Sequence, residues 1–168
     1  MRIRRGGIND WPFIFNLSCS AAEASISPWR KQPMEETIKY RRKCTKGLWS
    51  WIQQTGSIIF IAEAEAEKDL GSGKEKGLVP VGYLILHPGN IEELTGLPQA
   101  WVMDIAVLPD YQGKGLAKAM LKEAEKYCVS VDLSYLGLAV TSHNLRALKL
   151  YEDLGFVEER KLMVKILS

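Results

Sequence analysis

The sequence predicts a mixed α/β domain: a twisted, mostly antiparallel sheet of about six to seven strands, flanked by about four helices. Three observations predict it. The runs "SIIFIAEA", "VPVGYLILH" and "QAWVMDIAVL" are rich in branched and apolar residues and follow one another with only turn-like segments between, the pattern of antiparallel neighbours. A helix-periodic stretch from about 115 to 130 then leads to the strand-like "YLGLAVT". A connection of that length allows a parallel crossover. Helical patterns also lie before the first run and after the last, so the predicted order is β-α-α-β-β-β-α-β-α-β, a single domain over residues 1–168.

The elements follow from local chemistry. "RIRRGGI" reads as a short first strand. Asp10 suits an N-cap, with Pro12 in the first turn of a helix. "PMEETIKYRRKCTKGLWSWIQQTG" reads as a long helix: Met34, Ile38, Leu48 and Ile52 keep helical spacing, and Glu35 and Glu36 come early, where the helix dipole favours acids. Gly56 ends it. The charged, glycine-bearing "EAEKDLGSGKEKGL" is expected to be an exposed, mobile hairpin tip, and "PGNIEELTGLP" a second loop. "QAWVMDIAVL" is apolar enough to be covered on both faces. Past the crossover helix, "NLRALKLYEDLG" reads as a short helix ended by Gly155, and "RKLMVKIL" as a final strand.

Composition narrows the function classes. Hydrophobic residues make up 46% and charged residues 25% of the 168, ordinary for a globular domain with a sizeable core. The net charge of +2 does not call for nucleic acid. The charge is uneven, with ten Lys/Arg against four Asp/Glu up to Phe60. A basic face suits a phosphorylated ligand or an acidic partner, but a solvated helix face is the favoured reading. Cys19, Cys44 and Cys128 are widely spaced with no C-x-x-C pair, so no metal site is expected, and free thiols fit a reducing cytoplasm. No apolar run reaches the roughly 20 residues a membrane span needs. "WPFIFNL" is interrupted by Asn16 and makes a poor leader.

"DIAVLPDYQGKGLAKAML", from Asp104 to Leu121, carries the most information. A strand-like run stops at a proline, passes Gly113 and Gly115, and enters a helix with an apolar face of Leu116, Ala117, Met120, Leu121 and Ala124. N–H groups in the first turn of a helix have no partner inside it, and glycine lets an anion come close to them. The turn is therefore shaped for phosphate, or else is a tight turn with no ligand. A dinucleotide fingerprint fails because Lys118 stands where the third glycine belongs, and a Walker loop at Gly73-Lys74 fails because Glu75 follows.

The same stretch resembles the acyl-CoA-binding motif of the GNAT (GCN5-related) N-acetyltransferases, Arg/Gln-x-x-Gly-x-Gly/Ala, at Gln112, Gly115 and Ala117. Val107, Pro109 and Tyr111 match the preceding V-x-P-x-[YF]. Downstream, "NLRALKLYEDLGFVEE" is similar to the second motif of that family at Asn144, Ala147, Tyr151, Gly155 and Phe156. The resemblance implies a sheet splayed between its fourth and fifth strands, with the pantetheine arm of acetyl-CoA in the opening. It implies that backbone at Ile105, Ala106 and Val107 pairs with that arm, and that Gln112, Gly113, Lys114, Gly115, Leu116, Ala117 and Lys118 hold the pyrophosphate. Asn144 and Tyr151 would lie at the pantetheine arm.

Acyl transfer to an amine needs a proton removed from the amine and one delivered to the departing thiolate. A phenol of pKa about 10 suits a thiolate whose acid has a pKa near 8.5. Tyr151 is the candidate acid; seven residues from Asn144, it shares a helix face with it, and its other reading is a core tyrosine on the Leu148/Leu154 stripe. Asp104 is the one carboxylate in "WVMDIAVL" and must be paired, exposed or raised in pKa. It reads as a general base, direct or through water, or as a structural hydrogen-bonding residue. Some family members carry a Glu-Asp pair here; Met103 stands in place of the Glu. His143 would sit at a cleft mouth or in a solvated loop. Trp29, Trp49, Trp51 and Trp101 would line an acceptor pocket or fill core.

The expected function is N-acetyl transfer from acetyl-CoA, as cosubstrate and without a metal, directly to a primary amine on a small molecule or a protein. No nucleic acid or membrane partner is expected, the location is cytoplasmic, and a homodimer is left open. The alternative is a GNAT-like module that binds acyl-CoA as a sensor without turnover. A phosphate-binding domain of another fold is a third reading.

Overall fold

In the computed structural model, which describes residues 1–69 and 74–167, five strands form one sheet in the order β1-β2-β3-β4-β5. These are β1 (Arg2–Arg5), β2 (Ile58–Asp69), β3 (Lys74–Ile91), β4 (Pro98–Val107) and β5 (Leu136–Leu138). The first four pair antiparallel, and β5 pairs parallel with β4 after a helical crossover. The helices are α1 (Trp11–Ser20), α2 (Met34–Thr55), α3 (Leu116–Ser130) and α4 (Leu145–Glu152).

Strand alternation sends side chains to two cores. Leu84 and Leu86 of β3 face α3, where Leu116, Met120, Leu121 and Ala124 bury the predicted apolar stripe, with Tyr151 of α4 beside them. Tyr83 and Ile85 face the other way, toward Ile14 and Leu17 of α1 and Ile52 of α2. The sheet is thus a middle layer, with α1 and α2 on one face and α3 and α4 on the other.

The long helix runs as its periodicity requires. Thr45 and Ile52 of α2 are buried, Glu35 and Glu36 occupy its first turn, and Gly56 closes it at φ +65°, a left-handed geometry that favours glycine. Asp10 precedes α1 but does not cap it with its side chain. Its carboxylate instead accepts from both terminal nitrogens of Arg4, at 2.6 and 2.9 Å, and from the Gly7 N–H at 2.9 Å. Arg4 also reaches the buried Glu63 at 2.7 Å, so β1, β2 and the start of α1 share one ionic cluster. That cluster holds the Asp10 carboxyl below its usual range, chiefly through the Arg4 hydrogen bonds.

Three expectations differ. The segment read as a hairpin tip is largely strand: β2 continues to Asp69 and β3 begins at Lys74, pairing Asp69 with Lys74, while residues 70–73 lie outside the described residues. The alternation Ala62, Ala64, Ala66 sustains this ribbon despite its charges. β4 is covered on both faces only in its first half, and Met103 is exposed. The final strand expected at "RKLMVKIL" is not paired: among the described residues, none from 156 to 167 belongs to a strand. The described sheet therefore has five strands where about six to seven were expected.

Candidate active site

A one-residue irregularity in β4 organises the centre of the molecule. Ile85 of β3 lies opposite Asp104, but its neighbour Leu86 lies opposite Val102, so Met103 is the extra residue of a β-bulge. An extra residue reverses the faces of the side chains beyond it. Val102 belongs to the core against α3, whereas Asp104 points to the α1/α2 side. The pairing with β5 stops at the same place. Ala100, Trp101 and Val102 face Leu136, Gly137 and Leu138, and β4 then runs on to Val107 without β5 beside it. The sheet opens above Val102, leaving the outer edge of residues 103–107 free of β5.

Asp104 Oδ2 gathers three donors at this opening. Arg41 Nη2 of α2 donates at 2.5 Å, Tyr83 Oη of β3 at 2.9 Å and Ser18 Oγ of α1 at 3.0 Å. Arg41 Nη2 also reaches Ser18 Oγ at 2.8 Å. Among the described residues no hydrogen bond reaches Asp104 Oδ1. The carboxylate that the strand pattern flagged is thus charge-paired, the condition under which a half-buried charge is tolerated. Burial first, and then the Asp104 charge, push the Tyr83 hydroxyl pKa well above its ordinary value, so Tyr83 is a fixed donor. Sequence reasoning did not find Arg41, Ser18 or Tyr83. Arg41 carried a signal: with Thr45, Leu48 and Ile52 it lies on the inward face of α2 at helical spacing.

Tyr151 lies on the opposite side of the opening, buried in the α3/α4 core with its ring 5.7 Å edge-on from Phe156. Its hydroxyl pKa is raised by burial and then by the charge of Asp104. The Asp104 charge therefore acts on the Tyr151 hydroxyl across the gap. Asn144 caps α4: its Oδ1 accepts from Ala147 N–H at 3.2 Å. His143, just before it, is exposed. The tryptophans are not gathered at the opening. Trp49 lies 5.2 Å from Trp11 with the rings tilted, Trp51 lies 4.9 Å from His87, Trp101 packs under Gly137, and Trp29 is exposed.

The glycine turn stands at the upper end of the opening. After β4 a 3-10 turn at Pro109–Tyr111 leads to Gln112, and Gly113 and Gly115 then take φ of +79° and +78°. Both are left-handed, where a side chain would be strained. Gly115 is the N-cap of α3, whose first bond runs from Ala119 N–H to Gly115 O at 2.9 Å, so the N–H groups of Leu116, Ala117 and Lys118 precede it. Gln112 ties the turn down: its Nε2 donates to Val107 O at 3.1 Å and its Oε1 accepts from Arg146 of α4 at 2.7 Å. Lys114 lies 4.8 Å over the Tyr111 ring. Arg146 lies beside Gly113, and the first-turn N–H groups of α3 have no partner inside the helix, an arrangement that favours an anion.

A family model described as the acetyltransferase (GNAT) family matches residues 11–156, which include every residue of this opening. The chain belongs to that family. The GNAT fold is also seen in its structural neighbours: a putative acetyl transferase from Pyrococcus furiosus superposes with a TM-score of 0.73 over 99% of both chains at 20% identity. In sequence, the chain is 33% identical over 155 residues to the spermidine N(1)-acetyltransferase of Vibrio cholerae, spanning 92% of this chain and 77% of that protein. It is 36% identical over 87 residues to the N-acetyltransferase YycN of Bacillus subtilis, a match that spans about half of each, 51% and 53%. In this GNAT member no group of three or more His, Cys, Asp or Glu among the described residues could hold a metal. None of its described helices is long and apolar enough to cross a membrane.

Proposed function

We propose that this GNAT domain transfers an acetyl group from acetyl-CoA to a primary amine by direct attack. The observation that carries the reading is the opening of β4 away from β5 above Val102, with the glycine cradle at its end and Asp104 and Tyr151 on its two sides. The names of the two sequence relatives, both N-acetyltransferases, support an amine as acceptor.

Acetyl-CoA supplies an activated thioester; the rest is the work of this chain. On the free edge alternate residues turn their backbone groups outward, so Ile105 offers its N–H and C=O and Val107 its N–H to the amides of the pantetheine arm, as a missing strand would, while Val107 O is held by Gln112 and Ala106 between them turns to Tyr83 of β3. The turn of Gln112, Gly113, Lys114, Gly115, Leu116, Ala117 and Lys118 receives the pyrophosphate on helix-start N–H groups. Asn144 Nδ2 remains a donor toward the arm while its Oδ1 caps α4. Asp104 keeps Oδ2 for its three partners and offers Oδ1 to the incoming ammonium, accepting its proton directly or through a water. Tyr151 holds its proton because its hydroxyl is raised, and delivers it to the departing thiolate.

The test is a thiol-release assay over a panel of primary amines, including a polyamine and a peptide with a free amino group. Turnover of at least one amine, lowered in Tyr151→Phe with CoA affinity retained, is the expected result. Tight CoA binding with no turnover of any amine would replace this reading by the sensor.

A further inference from the structure

We infer that the acceptor is an α-amino acid, an amine with a carboxylate on the adjacent carbon, and that Asp104 and Arg41 grip its two charges together. The inference rests on the transfer reading above and names the substrate class of that same site.

Arg41 and Asp104 meet through one atom each. Arg41 Nη2 donates to Asp104 Oδ2 at 2.5 Å, and Ser18 and Tyr83 donate to the same oxygen. A guanidinium and a carboxylate are able to pair through two parallel hydrogen bonds. Here half of each group stays unused: among the described residues no hydrogen bond reaches Arg41 Nη1 or Asp104 Oδ1. Among those residues Arg41 Nε is the one buried side-chain nitrogen or oxygen without a partner. Nη1 and Oδ1 are therefore open to solvent.

A cationic donor and an anionic acceptor thus stand open together where the sheet parts, each one bond angle from the 2.5 Å contact. Ser18 and Tyr83 keep Oδ2 in place, so Oδ1 does not turn away. A simple ammonium satisfies Oδ1 alone and leaves Nη1 facing a charge of its own sign. An α-amino acid satisfies both. Its ammonium meets Oδ1, its carboxylate meets Nη1, and the signs alternate around the four groups.

The surroundings favour the same class. Lys39, Arg42, Lys43 and Lys46 are exposed on α2. Among the described residues only Lys39 of these has an acidic partner, Glu36 at 3.8 Å. A surface of one sign attracts the other, so an acceptor bearing an acid is drawn in and a polycation is repelled. In the transfer itself the thioester C–S bond is replaced by a C–N bond. The ammonium loses two protons: one leaves through Asp104 to solvent, and the other replaces the proton that Tyr151 gives the thiolate.

The experiment is thiol release by the full chain from acetyl-CoA with matched acceptors: the common L-α-amino acids, their carboxamides, and the same amines without the carboxyl group. A carboxamide gives up its ammonium proton more readily than the free acid, so a preference for the acid comes from the site. The expected kcat/KM is about 10–100-fold higher for the best acid than for its carboxamide. Arg41→Lys keeps a charge for Asp104 and loses the second nitrogen. It should abolish that preference and leave the KM for acetyl-CoA unchanged. The acid–carboxamide comparison is made on the unaltered chain, so it decides even where the variant fails to fold. Carboxamides or carboxyl-free amines that match or exceed the acids overturn the inference and leave amine acetylation standing. A preference that survives in folded Arg41→Lys overturns the assignment to Arg41. No turnover of any amine, with CoA still bound, removes the transfer reading and this inference with it.

Discussion

Arg41 Nη2 lies 2.5 Å from Asp104 Oδ2 and 2.8 Å from Ser18 Oγ, so a single guanidinium joins α2, α1 and β4 at the point where the sheet opens. The pair is neither buried nor free, with the Arg41 side chain 37% and the Asp104 side chain 19% exposed. Fully exposed ion pairs contribute about 0–1 kcal/mol, and leaving a buried charge unpaired costs about 3–5. Arg41→Met should therefore destabilise by about 1–2 kcal/mol, a fall in Tm of about 3–6 °C for a chain of this size. Thermal unfolding by circular dichroism reads it directly. A Tm unchanged within about 1 °C would show that Ser18 and Tyr83 alone satisfy the carboxylate.

Tyr151→Phe removes the hydroxyl and keeps the ring against Phe156. As the acid, Tyr151 is expected to contribute about 10²–10³ to kcat, with little change in CoA affinity. Its raised pKa fixes the sign of the pH dependence. The protonated, active form persists up to and beyond pH 10, so the rate should not fall on its account below that pH. Part of the rise comes from the negative charge of Asp104. Asp104→Asn should therefore lower the Tyr151 pKa and move the alkaline limb of residual activity to lower pH. A limb that stays put, or a Phe variant with full kcat, would return Tyr151 to the role of core tyrosine.

Gly137 sits where β5 touches β4, and a Cβ there would lie 2.5 Å from Cε3 and Cζ3 of Trp101. Overpacking of this kind costs about 1–3 kcal/mol. Gly137→Ala should lower the urea midpoint with an unchanged m-value, and it acts on the last paired residues below the opening. An unchanged midpoint would mean that Trp101 turns aside freely, and that β5 is less tightly held than the register suggests.

Much of this was legible in the sequence, for local reasons. The amphipathic faces of α2 and α3, the glycine stops at Gly56 and Gly155, and the doublet Gly113/Gly115 are set by spacing and by φ. The partners of Asp104 were not legible, because they lie 86, 63 and 21 residues away and meet only through the fold. Nor was the bulge at Met103, which decides the face Asp104 takes; an apolar run on both sides of it hides a one-residue change of register. The strand residues 65–69 and 74–78 look like loop in the sequence because of their charges, although they pair with one another across the two strands. The tail was read as a strand from its own composition, but a strand also needs a neighbour, and composition says nothing of where that neighbour is.

The central claim is that the Gln112–Lys118 turn and the free edge of β4 hold acetyl-CoA. Isothermal calorimetry with acetyl-CoA, CoA and ATP on the same protein tests it most directly. The account predicts micromolar binding of both CoA species, with ATP silent because it carries phosphates but no pantetheine arm to pair with Ile105–Val107. Equal binding of all three, or binding of none, would contradict it and leave Gly113 and Gly115 as a tight turn between β4 and α3.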